Sequence, residues 1–85
     1  MITKNQIKLI RSLSHKKNRK KHKLFIAEGS KVVEDLLESE LKLESIYSIE
    51  NEYENYDCFF KINSKELMMI SNLKTPNNVV CLLYT

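Results

Sequence analysis

Leu24-Phe25-Ile26-Ala27-Glu28-Gly29-Ser30-Lys31-Val32-Val33-Glu34-Asp35-Leu36-Leu37 is the stretch on which the fold turns. Its first four residues form an apolar run without polar alternation, which suits a strand covered on both faces. The run stops at Glu28-Gly29. Gly29 is the only glycine in the chain, and it marks a tight turn or a residue at positive φ. Ser30 fits the N-cap of a helix. Val32, Val33, Leu36 and Leu37 then fall on the stripe of a helix lying on a sheet, with Glu34, Asp35 and Glu38 on its outer face. A strand, a glycine turn and a covering helix are the start of an α/β layer.

Downstream the pattern continues. Leu43 to Ile49 alternates in part and reads as a second strand, and Glu50 to Tyr56 as an acidic, exposed connection. Cys58-Phe59-Phe60-Lys61-Ile62 reads as a third strand. Asn63 or Ser64 caps the next helix, with Glu66 three residues after Asn63. Leu67, Met68 and Ile70 form its apolar side, and the pair Met68 and Met69 reads as core filler. Thr75-Pro76-Asn77-Asn78 is a turn. Val79 to Tyr84 closes as a strand rich in β-formers, expected to be central.

Upstream, Thr3-Lys4-Asn5-Gln6 reads as a capping box. Ile7, Ile10 and Leu13 give the following helix, about residues 4–14, one apolar face, while Lys4, Lys8 and Arg11 line another. Apolar periodicity is then lost, and His15 to Lys23 reads as a basic loop. The order of elements predicts a compact single α/β domain, with a mixed sheet of about four strands between helices.

Charge is distributed unevenly along the 85 residues. Residues 1–23 carry nine Lys or Arg and no acid; residues 24–85 hold the other five Lys and all eleven acids. A net charge of +3 therefore conceals opposite halves. Such asymmetry points to a polyanionic partner at one end. The sequence shows no membrane-length apolar run and no apolar secretion core. Cys58 and Cys81 each lie in an apolar strand-like run, which fits reduced core thiols and a cytoplasmic home. His15 and His22 with these cysteines do not have the spacing of a zinc site. One glycine leaves no Gly-rich phosphate loop, and no catalytic constellation stands out. Glu28, just after a strand, is expected to pair with a base such as Arg19 and so fix the basic loop on the sheet.

Three stretches together resemble a known family: Asn5-x-Ile7-Lys8-x-x-x-Ser12-Leu13-x-x-Lys16-Lys17-x-Arg19, then Leu24-Phe25-Ile26-Ala27-Glu28-Gly29, then Lys31-Val32-Val33-x-Asp35-Leu36-Leu37. With Ile70-Ser71-x-Leu73-Lys74-Thr75-Pro76-Asn77 they resemble the substrate-binding domain of SpoU/TrmH-type RNA 2′-O-ribose methyltransferases. Two positions depart from the pattern. Lys23 stands where a glycine is common, and Asn78 where a glycine often follows Thr-Pro-Gln. The resemblance implies a fold like that of the kink-turn-binding ribosomal proteins. It also implies that residues 1–85 precede a knotted catalytic domain, which binds S-adenosylmethionine and forms a homodimer, and that the chain is cut at that domain edge. Catalytic residues would lie there, so none is assigned here.

What the resemblance carries onto this chain is an RNA-holding role for the basic region. The candidate RNA-binding residues are Lys8, Arg11, Lys16, Lys17, Arg19, Lys20, Lys21 and Lys23, with Glu28 and Gly29 as structural neighbours. The expected partner is structured rRNA or tRNA, contacted through phosphates. A standalone structured-RNA binder without enzymatic role is the alternative. A DNA-binding module lacks helix-turn-helix spacing, and a dock for an acidic protein fits the charge alone. Tyr47, Tyr53, Tyr56 and Phe59 are not interleaved with the cations, which argues against a stacking platform for single strands.

Overall fold

The computed structural model describes residues 2–71 and 77–85. Helix α1 (Lys4–Ser12) begins at the expected capping box: Gln6 N–H donates to Thr3 Oγ1 at 3.1 Å, and Thr3 N–H to Gln6 Oε1 at 2.8 Å. The helix ends early because its serines bond backwards, Ser12 Oγ donating to the Leu9 carbonyl and Ser14 Oγ to that of Arg11. Such bonds offer the backbone an alternative to another helical turn.

The expected basic loop is instead a second helix, α2 (Lys16–His22), which buries no residue. Lys and Arg are good helix formers, and the segment contains neither Gly nor Pro. Apolar periodicity cannot announce a helix that contributes nothing to the core. It stops at Lys23, whose φ of 56° and ψ of 40° are left-handed. That conformation accounts for the glycine common at this position in the resembled pattern. A β-carbon there costs about 1–2 kcal/mol. Lys23 is exposed, so Lys23→Gly is expected to raise unfolding stability by about 1 kcal/mol in urea.

Strand β1 (Leu24–Glu28) leads through Gly29 into helix α3 (Ser30–Leu37). Gly29 has φ 95° and is itself the N-cap, so Ser30 is the first helical residue rather than the cap. Its N–H donates to the Val79 carbonyl at 3.0 Å. Of the expected α3 stripe, Val33 is fully buried and Leu36 and Leu37 pack beside it, whereas Val32 is 49% exposed. Eight residues of helix give a sheet-facing stripe too narrow for both valines.

Strands β2 (Leu43–Ser48) and β3 (Phe59–Lys61) follow, then helix α4 (Ser64–Ile70) and strand β4 (Val79–Tyr84). The second capping box is also present, Asn63 with Glu66. The turn expected at 75–78 lies partly outside the described residues. The four-stranded sheet has the order β1-β4-β2-β3, with β4 antiparallel to both β1 and β2 and with β2 parallel to β3. The sheet is mixed, and β4 is internal and almost wholly buried, as its composition predicts.

Each sheet face has its own core. On one, Ile10 and Leu13 from α1 and Leu67 and Ile70 from α4 pack against Leu24, Tyr47, Val80 and Leu82. On the other, Val33 joins Ala27, Ile46, Cys81, Leu83 and Tyr53. Tyr53 is thus a buried anchor inside a connection expected to be exposed. β1 contributes to both cores, as an apolar run without alternation should. Cys58 and Cys81 are free thiols, and burial pushes Cys81 up to about 12 and Cys58 upwards as well. Among the described residues neither pairs with a helix N-terminus or a cation that would make it reactive.

Candidate nucleic-acid interface

α1 and α2 meet at a corner, residues 13–15, and side chains of α2 hold that corner. Asn18 Nδ2 donates to the Ser12 carbonyl at 3.0 Å. Arg19 Nη1 donates to the Leu13 carbonyl at 2.8 Å and to that of Ser14 at 3.0 Å. The Leu13 and Ser14 carbonyls lie just past the end of α1, and the guanidinium also opposes the negative end of the helix dipole. Arg19 is half-buried, and its bonding geometry makes it a brace. Arg19→Ala is expected to lower stability by about 1.5 kcal/mol in urea unfolding, the range for hydrogen bonds from a charged group.

The brace explains a correction. Glu28 does not pair with Arg19; its Oε1 accepts from Ser71 Oγ at 2.5 Å, linking the end of β1 to the end of α4. A carboxylate and a guanidinium at the same sheet end look complementary in sequence. Chain geometry turns the arginine inward to nearer carbonyl acceptors.

The other α2 cations face away from the body. At 100° per residue, Lys16, Lys17, Lys20 and Lys21 fall within an arc of roughly 140°. Asn18 and Arg19 lie on the opposite side. All four lysines are exposed, and among the described residues none has a carboxylate partner. Lys8 and Arg11 are exposed on α1, and Lys23 is exposed at the end of α2. The structure therefore brings seven of the eight candidate cations to the surface of α1, α2 and the following turn, and assigns the eighth, Arg19, to bracing. Gly29 lies beyond β1, with Asn77 Nδ2 3.2 Å from where a β-carbon would stand.

Most of the acids lie across the sheet. Glu34, Asp35 and Glu38 are exposed on α3, and Glu50, Glu52, Glu54 and Asp57 on the connection that shares its side of the sheet. Glu52 is held above the ordinary carboxylate range, first by a shared hydrogen bond with Glu50, then by desolvation and by the charges of Glu50 and Glu34. Tyr47 stacks on Phe60 with ring centroids 5.2 Å apart and is buried. Tyr47, Tyr53 and Phe59 belong to the two cores, so they offer no platform beside the cations. Among the described residues no cluster of His, Cys, Asp or Glu could hold a metal, and no helix is long and apolar enough to cross a membrane.

The described residues thus form a small mixed α/β domain with one cationic helical corner. Residues 4–81 match the family described as MRM3-like substrate binding domain, and the chain belongs to that family. It is similar in fold to a protein from Porphyromonas gingivalis assigned to the TrmH family of RNA methyltransferases, with 22% identity over 99% of this chain and a TM-score of 0.86. It is also similar to an rRNA methyltransferase from Sinorhizobium meliloti, with 26% identity over the whole chain and a TM-score of 0.81. That methyltransferase is also known with AdoMet bound, matching at 26% identity over 100% of this chain and a TM-score of 0.80. The chain spans about a third of each structure, 36%, 35% and 35% respectively. No curated protein sequence matches it.

Proposed function

We propose that residues 1–85 form the RNA-holding domain of an RNA methyltransferase. It binds structured rRNA or tRNA through the outward face of α2 and the adjoining stripe of α1. It presents the RNA to a following S-adenosylmethionine-dependent domain that methylates a ribose 2′-hydroxyl. The full-length enzyme would work in the cytoplasm as a homodimer, with cofactor and catalytic residues in that second domain. The observation that carries the reading is the arrangement of Lys16, Lys17, Lys20 and Lys21, four exposed cations on one short helix without acidic partners among the described residues.

Duplex RNA has a deep major groove that side chains cannot read, so phosphates and 2′-hydroxyls are what a cationic helix meets. Lysine acts there as a point charge, giving affinity and orientation rather than choice of bases. Binding of the chain to a structured RNA, titrated across salt, is expected to give a log K against log salt slope of roughly −3 to −4. A flat dependence, or no binding at low salt, would overturn the reading. Capture of an acidic protein without RNA would favour the docking alternative, and a strong preference for duplex DNA the DNA-binding one.

A further inference from the structure

We propose that the cavity between α3 and the 50–57 connection binds an aliphatic diammonium ion, a short methylene chain with an amine at each end. The cavity has a volume of about 500 Å³ and is lined by Glu34, Leu37, Glu38, Glu52, Tyr53 and Tyr56. That volume falls within the range of ligand sites, about 300–1,000 Å³. It lies on the side of the sheet away from the core that α1 covers, so the proposal stands apart from the RNA-binding reading.

The first observation is the placing of the acids. Glu34 and Glu38 stand one turn apart at the C-terminal end of α3, the Glu38 N–H donating to the Glu34 carbonyl at 3.3 Å. Like charges at this spacing repel. The last turn of α3 also has no basic residue to meet the negative end of the helix dipole. Glu52 brings a third carboxylate from the connection, and among the described residues no cation pairs with any of the three. Helix dipole and carboxylates thus oppose one another in the folded chain, and a cation at this end offsets both.

The second observation is independent of the acids. Tyr53 is 5% exposed, and its hydroxyl is buried with no hydrogen-bond partner among the described residues. Burial pushes its pKa up, and the charges of Glu52 and Glu34 raise it further. The hydroxyl therefore lies within the field of the cavity's acids and stays a neutral phenol, whose oxygen can accept from an ammonium N–H. A buried hydroxyl without a partner costs desolvation free energy, which a ligand donor recovers.

The rest of the wall selects the kind of cation. Leu37 is half-buried, and Tyr56 is 41% exposed and offers a ring face to an ammonium. This aromatic wall distinguishes the cavity from the other exposed apolar surface, Met68 and Met69 on α4, which are 69% and 42% exposed although their pattern reads as core. The two α3 carboxylates are about 6 Å apart along the helix axis, a distance that two amines on a short methylene chain span. The methylenes then lie on Leu37 and the tyrosine rings. A bare metal ion would leave that wall unused, and among the described residues no cluster fit to hold a metal is present.

Calorimetric titration of the chain with putrescine, a four-carbon diamine, at low salt tests the site. Saturable one-to-one binding is expected, with butylamine, which carries one charge, about tenfold weaker. Glu34→Gln/Glu38→Gln is expected to lower putrescine affinity about tenfold. Both residues are exposed and glutamine matches glutamate in helix propensity, so that variant keeps the fold. Tyr53→Phe is expected to lower the affinity about fivefold, yet to leave the urea midpoint unchanged or raised without diamine, because the lost hydroxyl had no partner. A hydroxyl with only a structural role would give the reverse, a lower midpoint and the same affinity. No saturation, equal affinity for the two amines, or affinity unchanged in either variant would overturn the site. None of these measurements uses RNA, so the RNA-binding reading is decided separately by its salt titration.

Discussion

Glutamine at Lys16, Lys17, Lys20 and Lys21 together is expected to weaken binding to structured RNA about a hundredfold near 0.1 M salt and to flatten the salt slope by roughly 3 to 4. Each lysine that neutralises a phosphate displaces about one condensed counterion, so removing four contacts removes nearly the whole slope expected of α2. The fold should survive, because α2 buries no residue and glutamine matches lysine in helix propensity. Arg19 is left in place for a physical reason. Its guanidinium holds the carbonyls of Leu13 and Ser14, so its loss would mix a stability change with a binding change. Filter binding at several salt concentrations, with circular dichroism on the same samples, separates the two. Unchanged affinity and slope would place the RNA elsewhere on the surface.

Tyr47→Ala is expected to have the largest effect on stability, about 3–5 kcal/mol. The ring is 2% exposed, stacks on Phe60, and belongs to the core shared by α1, α4 and β4. It sits on β2, an inner strand hydrogen-bonded on both edges, so neighbouring backbone is poorly placed to collapse into the space. Domains of this size are stable by roughly 4–13 kcal/mol at 0.05–0.15 kcal/mol per residue. The substitution therefore removes a large fraction of what holds the chain folded. Urea unfolding should show a lower midpoint with little change in slope, and a loss below about 1 kcal/mol would mean that the ring is not anchoring that core.

The contrast between these two substitutions shows which parts of the molecule sequence can announce. Elements that bury an apolar face were legible: β1, the inner strand β4 and the sheet-facing side of α3. So were both helix starts with reciprocal caps, because Thr3 with Gln6 and Asn63 with Glu66 are local devices whose geometry needs no tertiary context. α2 was not legible, since nothing in its pattern records a helix without a buried side. Met68, Met69 and Val32 were assigned to the core because periodicity reports which side a residue lies on, not how far the neighbouring sheet extends beneath it. On the α1–α2 surface the exposed cations could be named from the sequence. Their division into four outward lysines and one inward brace depended on where Arg19 meets the carbonyls of the α1 end. Tyr53 was hidden for the opposite reason, a buried ring carried by a segment whose other residues are polar.

The two sides of the sheet carry opposite charge, and this has a consequence for how an encounter begins. With lysines and arginines on the α1–α2 corner and carboxylates on α3 and the 50–57 connection, the molecule behaves as an electric dipole. In the field around a polyanion it experiences a torque before any atoms touch. It is turned so that α2 leads and α3 trails, and collisions in the reversed orientation are repelled. Rotational search is shortened, and the gain fades as added salt contracts the field to within about 10 Å of the surface. A modest overall charge, arranged in this way, accelerates arrival without making the whole surface adhesive.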